Sequence, residues 1–483
     1  MPDNKRKWRI LIPDNPDETI KCALYDLYGI VDSYLTYPLA VSEASHTDPA
    51  ACGENLIIIG TSKDNARIKE IAGSGQFILP SEAEGYSIQV SSSPYDNDCR
   101  MIIICGADPA GLLYAVHAFD LRYLRDKCRY YGYHYNHRFR PFVDDLPDWQ
   151  YLSAPKIARR GIWTWGHVIY DYRAFFYNMS RLGMNHIIIW NDFAPLNAAE
   201  VIAEAHRRAI KIYWGFSCSW GEKVDPNNQD DVIKWTRRVI EVYSSQYARL
   251  DIDGVYFQAF TETAEKTIGS RSIASLVADW ANVICAGLRA VYPQLDIEFG
   301  VHATSIGESY AELAKIDPEI AVMWEDCGDF PYYYDPARQN QSKAAIDYTR
   351  RLASLHGSST RFAAVLKGFT VLNWSKFEHY HGAIVLGELQ REYIERRAAE
   401  KRFTWNYARP YWYTGAELLR EYFDTVVNSS AREVTITALI EDGCFEYHID
   451  PAAILFASLM WDYNQDTSEL IRLSEHCAEG NIL

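Results

Sequence analysis

The sequence lacks any regular arrangement of cysteines. Its ten cysteines are scattered from Cys22 to Cys477, and no two of them form a Cys-x-x-Cys pair. The common structural zinc sites need closely spaced, paired ligands, so this spacing excludes those patterns and is typical of reduced thiols. We therefore expect neither a bound metal ion nor another cofactor.

The sequence also lacks a surplus of positive charge and a long apolar run. It has 48 Lys and Arg against 64 Asp and Glu, a formal net charge of −16, whereas nucleic acids and anionic membranes attract basic surfaces. No apolar run approaches the roughly 20 residues of a membrane span, and no apolar stretch follows the charged start, as it would in a signal peptide. We expect a cytoplasmic protein with no nucleic-acid or membrane partner; a homo-oligomer and an acidic substrate stay open.

Aromatic residues are plentiful, with 14 Trp and 34 Tyr in 483 residues. Hydrophobic residues make up 48% and charged residues 23%, which is typical of a globular protein with a large core. Part of the aromatic content belongs in that core. Sugar-binding sites also use aromatic rings, because the apolar face of a pyranose packs on a flat π surface, so the composition leaves both uses open.

The first 150 residues alternate short β-branched runs with helical patterns. Two of the runs, NLIIIG and MIIICG, are apolar enough to be buried strands, and Asp108 with Pro109 is a typical helix start. Arg138–Leu152, with proline and several acidic residues, resembles a connector. These patterns predict a small α/β domain over residues 1–150, with strands at 8–12, 55–60, 85–90 and 101–106 and helices at 17–35 and 108–121.

From Ala158 onward the sequence repeats a strand followed by a helix eight times. Eight such units predict a parallel sheet closed into a (β/α)8 TIM barrel, here over residues 151–483. The seventh unit is irregular, with two helical stretches. The predicted strands are residues 162–166, 185–190, 210–216, 254–260, 296–301, 320–324, 362–366 and 434–439.

Polar and aromatic residues follow most of the predicted barrel strands, where the active sites of such barrels lie. Because side chains alternate along a strand, we expect only one of Trp163 and Trp165 to face inward. Asp192 also fits as a helix N-cap, Lys367 as a solvated side chain, and Glu441 as a loop cap. The candidate substrate-binding residues are Trp165, His167, Asn191, Asp192, Trp220, Gln258, His302, Lys367, Trp374 and Glu441.

Three acidic residues are the candidate catalytic groups. Glu262, Glu325 and Asp326 each follow an apolar strand among aromatic residues. Apolar surroundings raise the pKa of a carboxyl group toward that of a general acid, while a second carboxylate stays ionised as nucleophile or base. We expect Glu262 to be the acid, held by its neighbouring threonines. Glu325 or Asp326 would be the second carboxylate, and retention or inversion of the anomeric centre stays open.

The order of the predicted parts resembles a group of glycoside hydrolases. Ile102–Ala115, Ala158–Ile162 and Leu182–Ile187 look like the end of the N-terminal domain and the first two barrel strands of α-glucuronidases, β-N-acetylhexosaminidases and O-GlcNAcase-like enzymes. The resemblance covers residues 55 to 330 as an order of elements. It implies a glycosidase. Because a cytoplasmic enzyme meets only imported sugars, which are short, we expect it to cleave short oligosaccharides or terminal sugars.

The resemblance bears on the fourth strand in particular. The hexosaminidases carry adjacent Asp and Glu there, whereas this sequence has Thr261-Glu262, so the partner that orients an N-acetyl group is missing at this place. The α-glucuronidases have a lone Glu as general acid and base carboxylates on later strands. Glu262 fits that pattern, with Glu325 or Asp326 as the base.

Two other functions remain open from the sequence. Asp192, Glu262, His302, Glu325 and Asp326 could converge on a divalent metal, as in metal-dependent barrel isomerases and lyases. The barrel could also bind sugars without cleaving them, since a fold does not fix a function.

Overall fold

The computed structural model of the chain describes residues 6–35, 37–126, 146–216, 224–258, 260–261, 263–325, 342–355, 357–369, 382–440, 444–447 and 449–479. Within these ranges two bodies of secondary structure are present, a mixed sheet near the N-terminus and a closed barrel.

The N-terminal sheet has six strands in the order β2-β1-β3-β5-β4-β6. The neighbours β2, β1, β3 and β5 pair in parallel, and β4 pairs antiparallel with both β5 and β6. This confirms the predicted small α/β domain. Its strands are β1 (Trp8–Ile12), β2 (Ala40–Glu43), β3 (Asn55–Thr61), β4 (Tyr86–Ser92), β5 (Arg100–Gly106) and β6 (Trp149–Ser153), and its helices are α1 (Glu18–Asp32), α2 (Pro49–Cys52), α3 (Ala66–Gly73) and α4 (Pro109–Ala118).

The isoleucine runs explain why this sheet is covered on both faces. Along β3, Ile57 and Ile59 pack in one hydrophobic cluster, and Ile58 packs in another on the opposite face. The helix α4 begins as predicted, since the Asp108 carboxylate accepts a hydrogen bond from the Gly111 N–H at 2.8 Å. The predicted connector is partly wrong, because Trp149–Ser153 forms an edge strand paired with β4.

The second body is a closed barrel of eight parallel strands, as predicted. Around the barrel the order is β10-β13-β14-β15-β16-β7-β8-β9, and a small hairpin of β11 (Thr267–Ile268) and β12 (Arg271–Ser272) lies outside it. The barrel strands are β7 (Arg159–Trp165), β8 (His186–Trp190), β9 (Lys211–Phe216), β10 (Gly254–Gln258), β13 (Asp296–His302), β14 (Ala321–Glu325), β15 (Arg361–Phe369) and β16 (Glu433–Ile440).

Helices follow the strands and cover the outside of the barrel. Outward-facing strand residues share one large hydrophobic cluster with these helices. The helices are α5 (Tyr172–Arg181), α6 (Ala198–Arg207), α7 (Gln229–Gln246), α8 (Ile273–Val291), α9 (Ala303–Ile306), α10 (Ser342–Ala353), α11 (Arg391–Thr414), α12 (Ala416–Val427), α13 (Cys444–Tyr447), α14 (Pro451–Trp461) and α15 (Thr467–Glu479).

Helix α8 corrects the statement that no apolar run approaches the length of a membrane span. Among the described helices it alone is long and apolar enough to cross a membrane by length and composition. More than half of its most apolar stretch is buried, and its buried residues belong to the cluster formed with the outside of the barrel. It is therefore placed as a core helix.

The inside of the barrel follows the two-residue period of a strand. Trp163 and Trp165 lie in one inward cluster with Ile188 and Trp190, whereas Ile162 belongs to the outer cluster. The expectation that only one of Trp163 and Trp165 faces inward is wrong, because residues two apart on a strand share a face.

The N-terminal end of the barrel is closed by charged side chains. The guanidinium of Arg159 lies 3.2 Å from Asp296 and 2.7 Å from Glu433, and the Tyr213 hydroxyl donates to Asp296 at 2.6 Å. Burial alone would raise the pKa of Asp296, but the hydrogen bond and charge of Arg361 outweigh it and hold that pKa well below its usual range. Ion pairs therefore fill the N-terminal end of the barrel, and the C-terminal end is the place for a site.

The two bodies are joined at the start of the barrel through Glu84 and Arg160. Arg160 is fully buried, lies 2.6 Å from the Glu84 carboxylate, and donates to the Gly183 carbonyl at 2.9 Å. Glu84 also accepts from the Asn185 side-chain amide at 2.9 Å. Its backbone φ of 58° is unusual for a residue other than glycine. One carboxylate of the first domain thus holds the first residues of two barrel strands.

Candidate active site

Three predicted residues meet at the C-terminal end of the barrel. Gln258, His302 and Glu325 are the last residues of the neighbouring strands β10, β13 and β14, and the register pairs His302 with Glu325 and Gln258 with Gly300. All three occupy inward positions, two residues beyond Tyr256, Gly300 and Met323. The strand ends therefore bring an amide, an imidazole and a carboxyl group to one point.

Glu325 is the centre of this group. Its Oε2 lies 2.8 Å from His302 Nε2 and accepts from the Gln258 amide at 3.3 Å, while its Oε1 accepts a hydrogen bond from the Tyr256 hydroxyl. The Gln258 amide nitrogen also contacts His302 Nε2. Both oxygens of the carboxyl group are therefore held by side chains from β13, the adjacent strand, and from β10, the strand beyond it.

Burial determines the charge state of this group. Desolvation raises the pKa of Glu325 to about 8 and lowers the pKa of His302 to about 4. At neutral pH the site thus has a protonated carboxyl group beside a neutral imidazole. A carboxyl group of this kind can donate a proton to a bound substrate. This is the opposite of the ionised role expected for Glu325 from the sequence.

Glycines make room for the Tyr256 ring and its contact with Glu325. A Cβ atom on Gly300 would clash with the Tyr256 hydroxyl and lie 2.6 Å from Glu325 Oε1. A Cβ atom on Gly215 would lie 3.1 Å from the Trp190 ring and 3.2 Å from the Tyr256 ring. Small residues at these inward positions are therefore a condition for the large rings beside them.

Aromatic rings form the floor beneath the polar group. The ring centroids of Trp163 and Trp165 are 4.9 Å apart, those of Trp163 and Tyr256 are 5.7 Å apart, and those of Trp190 and Tyr256 are 6.1 Å apart. Tyr256 belongs to this cluster and also binds Glu325. All four rings are buried, with 0–7% exposed, so they pack against one another beneath the polar group.

The segment after β10 is fixed to the same end of the barrel. Thr261 is fully buried, its hydroxyl accepts a hydrogen bond from the His302 backbone N–H at 2.8 Å, and its carbonyl accepts one from the Ser305 hydroxyl at 2.5 Å. Thr261 is the chain neighbour of Glu262, which itself lies outside the described residues.

Several other predicted residues also lie outside the described part of the chain. Nothing in the geometry therefore bears on their roles or on the distance between the two expected carboxylates. These residues are Trp220, Asp326, Trp374, Glu441 and the side chain of Lys367.

The segments just after β7 and β8 contain three more predicted residues, His167, Asn191 and Asp192. The buried Asn191 side chain donates to the Phe193 carbonyl, which fixes the turn after β8. Asp192 is not the cap of the following helix, because α6 begins at Ala198 with Asn197 at its N-cap. The half-buried His167 ring lies 6.4 Å from the Trp165 ring.

The described residues contain no group of three His, Cys, Asp or Glu side chains placed to hold a metal ion. Of the five residues in the metal-dependent alternative, His302 and Glu325 are in contact. Glu262 and Asp326 lie outside the described residues.

One site residue, Tyr256, was missed from the sequence, and so was Glu446, a buried glutamate with no described contact with Gln258, His302 or Glu325. Tyr256 looks like a core residue of β10, although its position two residues before Gln258 places both on one face. Glu446 on α13 is 8% exposed, accepts the Tyr170 backbone N–H at 2.7 Å, and has a pKa raised by burial to about 8. No sequence pattern marks Glu446, since its burial depends on the loop after β7.

Solved structures with the same arrangement of parts have very different sequences. A mutant Streptomyces plicatus β-hexosaminidase in complex with its product GlcNAc matches 99% of this chain and 91% of its own, with a TM-score of 0.54 and 10% identity. The protein CpGH84D matches 96% of this chain and 67% of its own, with a TM-score of 0.53 and 9% identity. A GH138 enzyme targeting pectin rhamnogalacturonan II has a TM-score of 0.52 and 11% identity.

The match to the GH138 enzyme covers 96% of this chain but about half (52%) of that enzyme. No protein-family model and no curated protein sequence matches the chain. At 9–11% identity these likenesses show a shared fold, a (β/α)8 barrel behind an N-terminal α/β domain, and the solved chains that share it include glycoside hydrolases.

Proposed function

We propose that this protein is a glycoside hydrolase that removes a terminal sugar or cleaves a short oligosaccharide at the C-terminal end of its barrel. The observation that carries the proposal is Glu325, a carboxyl group with a pKa raised to about 8, above a floor of tryptophan rings. A proton donor over an apolar surface is what cleavage of a glycosidic bond needs on one side of the sugar.

In this proposal Glu325 is the general acid. Its O–H bond breaks as the proton passes to the glycosidic oxygen, and the electrons of the breaking C–O bond go to that oxygen, so the leaving group departs as an alcohol. A second carboxylate then acts on the anomeric carbon, directly or through a water molecule. We assign that role to Glu262, so the roles expected from the sequence are exchanged. The alternative second carboxylate is Asp326.

The structural neighbours support the reaction class. The proteins that share the fold are named as a hexosaminidase, a GH84 protein and a GH138 enzyme targeting pectin. Fold likeness alone does not carry function, and the Glu325 group adds a chemical reason for the same class. We keep the sugar itself open, since Thr261 takes the place of the acid that precedes the catalytic Glu in hexosaminidases.

The test is a panel of aryl glycosides and short oligosaccharides, including uronic acids and N-acetylhexosamines, with Glu325→Gln and Glu262→Gln. Loss of a general acid should reduce kcat/KM by about 10²–10⁴ for sugars with a poor leaving group. The loss should be far smaller for an activated nitrophenol, which departs without a proton. Loss of the second carboxylate should be severe for both kinds of substrate.

Glu446→Gln is the matched control, because Glu446 is an equally buried glutamate whose carboxylate is engaged by the Tyr170 backbone N–H in the loop after β7. We expect it to hydrolyse the panel as the wild type does. Leaving-group dependence in Glu262→Gln instead of Glu325→Gln would return the acid role to Glu262. A binding protein would be favoured if Glu325→Gln still binds sugar and neither it nor the wild type shows turnover. The metal-dependent alternative would be favoured if EDTA abolishes activity and added metal restores it.

A further inference from the structure

The two oxygens of Glu325 have different partners. Oε1 meets the Tyr256 hydroxyl, which reaches it because Gly300 leaves that space open and whose O–H can donate to it. Oε2 lies 2.8 Å from His302 Nε2, a nitrogen that in neutral histidine can accept a proton. A protonated carboxyl group has one hydrogen to give, and among its described contacts the imidazole nitrogen of His302 is a stronger acceptor than the Tyr256 hydroxyl oxygen.

We infer that Tyr256 and His302 are positioning residues for Glu325. Tyr256 donates a hydrogen bond to Oε1, and His302 accepts a hydrogen bond from the protonated Oε2. The proton is thereby held on one defined oxygen before substrate binds. When it leaves for the glycosidic oxygen, the new charge on the carboxylate keeps two donors, the Tyr256 hydroxyl and the Gln258 amide. The catalytic meaning rests on the proposed role of Glu325.

Few groups in the described part of the chain face Glu325. Strand β10 presents Tyr256 and Gln258, strand β13 presents His302, and the register partner on β15 is the apolar Val365. Lys367 lies two residues beyond Val365, with a side chain outside the described part. Among the described side chains, Tyr256 and His302 make the closer contacts with Glu325, and Gln258 adds a longer one at 3.3 Å, so the removal of Tyr256 or His302 should change the proton affinity of Glu325 directly.

The two positioning residues should act with opposite sign. A donor to Oε1 favours the ionised carboxylate, so Tyr256→Phe should raise the pKa of Glu325 and move the basic limb of the pH–rate profile upward. An acceptor for the proton favours the neutral acid, so His302→Phe should move that limb downward. One hydrogen bond is worth about 1 kcal/mol, so each shift should be about half to one pH unit.

The experiment measures this pKa twice, from kcat/KM against pH and from the infrared carbonyl stretch of the protonated carboxyl group, taken as a difference between each protein and its Glu325→Gln form. His302→Gln can still accept through its amide oxygen and should restore a value close to the wild type. If His302→Phe does not fold, Tyr256→Phe still tests the upward shift of the Glu325 pKa. His302→Gln still tests whether an accepting side chain keeps that pKa close to the wild-type value.

Shifts in the same direction for both variants, or no shift in either, would overturn the inference, because a merely structural role gives no opposite signs. An upward shift in His302→Phe would mean that His302 is a charged donor, and would also overturn it. Opposite infrared shifts without hydrolysis of any glycoside would leave the proton arrangement standing and refute the proposed function alone.

Discussion

Glu446, on the short helix α13 that follows β16, gives the most direct test of how burial shifts a carboxyl pKa in this protein. Its carboxyl group is 8% exposed, and burial raises its pKa from 4.5 to about 8, although the Tyr170 N–H opposes the rise. The folded protein therefore keeps a proton that the unfolded chain releases between these two values. Stability is lost as the pH rises through this window and levels off above about 8.

Glu446→Gln removes this titration and keeps an oxygen that can accept the Tyr170 N–H. The shift of the pKa corresponds to about 5 kcal/mol at most between pH 4.5 and pH 8. Water that enters the folded state reduces this, so we expect the variant to gain at least about 2 kcal/mol over the wild type between pH 5 and pH 9. At pH 5 the two proteins should differ little.

The assay is urea unfolding followed by tryptophan fluorescence at pH 5, 6, 7, 8 and 9. Glu421→Gln, a change at an exposed glutamate on α12, is the control and should track the wild type across the series. A constant difference between Glu446→Gln and the wild type at all five pH values would refute the reasoning, since it would mean that Glu446 titrates alike in the folded and unfolded chain.

Three further substitutions test the packing that positions the site. Gly300→Ala should cost about 1–3 kcal/mol in unfolding experiments and reduce kcat, because its Cβ would displace the Tyr256 contact with Glu325. Gly29→Ala in α1 meets no atom within 4 Å and should instead stabilise by about 0.5–1 kcal/mol, measured by the same unfolding curves. Arg160→Met should cost about 2–3 kcal/mol and loosen the junction of the two bodies, seen as faster proteolysis between them, because it removes the cation beside the partly exposed Glu84 carboxylate and leaves it the Asn185 amide.

Much of the fold could be predicted because buried strands carry their own signal. The runs Ile57–Ile59 and Ile187–Ile189 are β-branched and buried on both faces, and each predicted barrel strand overlaps an observed one. The strands β2 and β6 were missed. Both are edge strands with alternating half-buried and exposed residues, so their sequences show little of the hydrophobic pattern on which such predictions depend.

Part of the site could also be predicted, since the active end of a barrel follows from its topology. Gln258, His302 and Glu325 lie at or near the ends of predicted strands, which is why the sequence makes them candidate site residues. Their mutual contacts could not be predicted, because the register between neighbouring strands is a long-range property. Tyr256 was missed for the same reason, since its contact with Glu325 joins residues 69 positions apart in the sequence.

The proposed exchange of roles between Glu262 and Glu325 follows from which residues share a strand face. From the sequence, the aromatic neighbour of Glu325 is Trp324, but adjacent residues on a strand point to opposite faces. Trp324 accordingly packs outside the barrel, 5.0 Å from the Tyr348 ring. The groups that desolvate Glu325 come from β10 and β13 instead. A carboxyl pKa is thus set by residues that share its face across several strands, and an acid can be assigned only when the register of those strands is known.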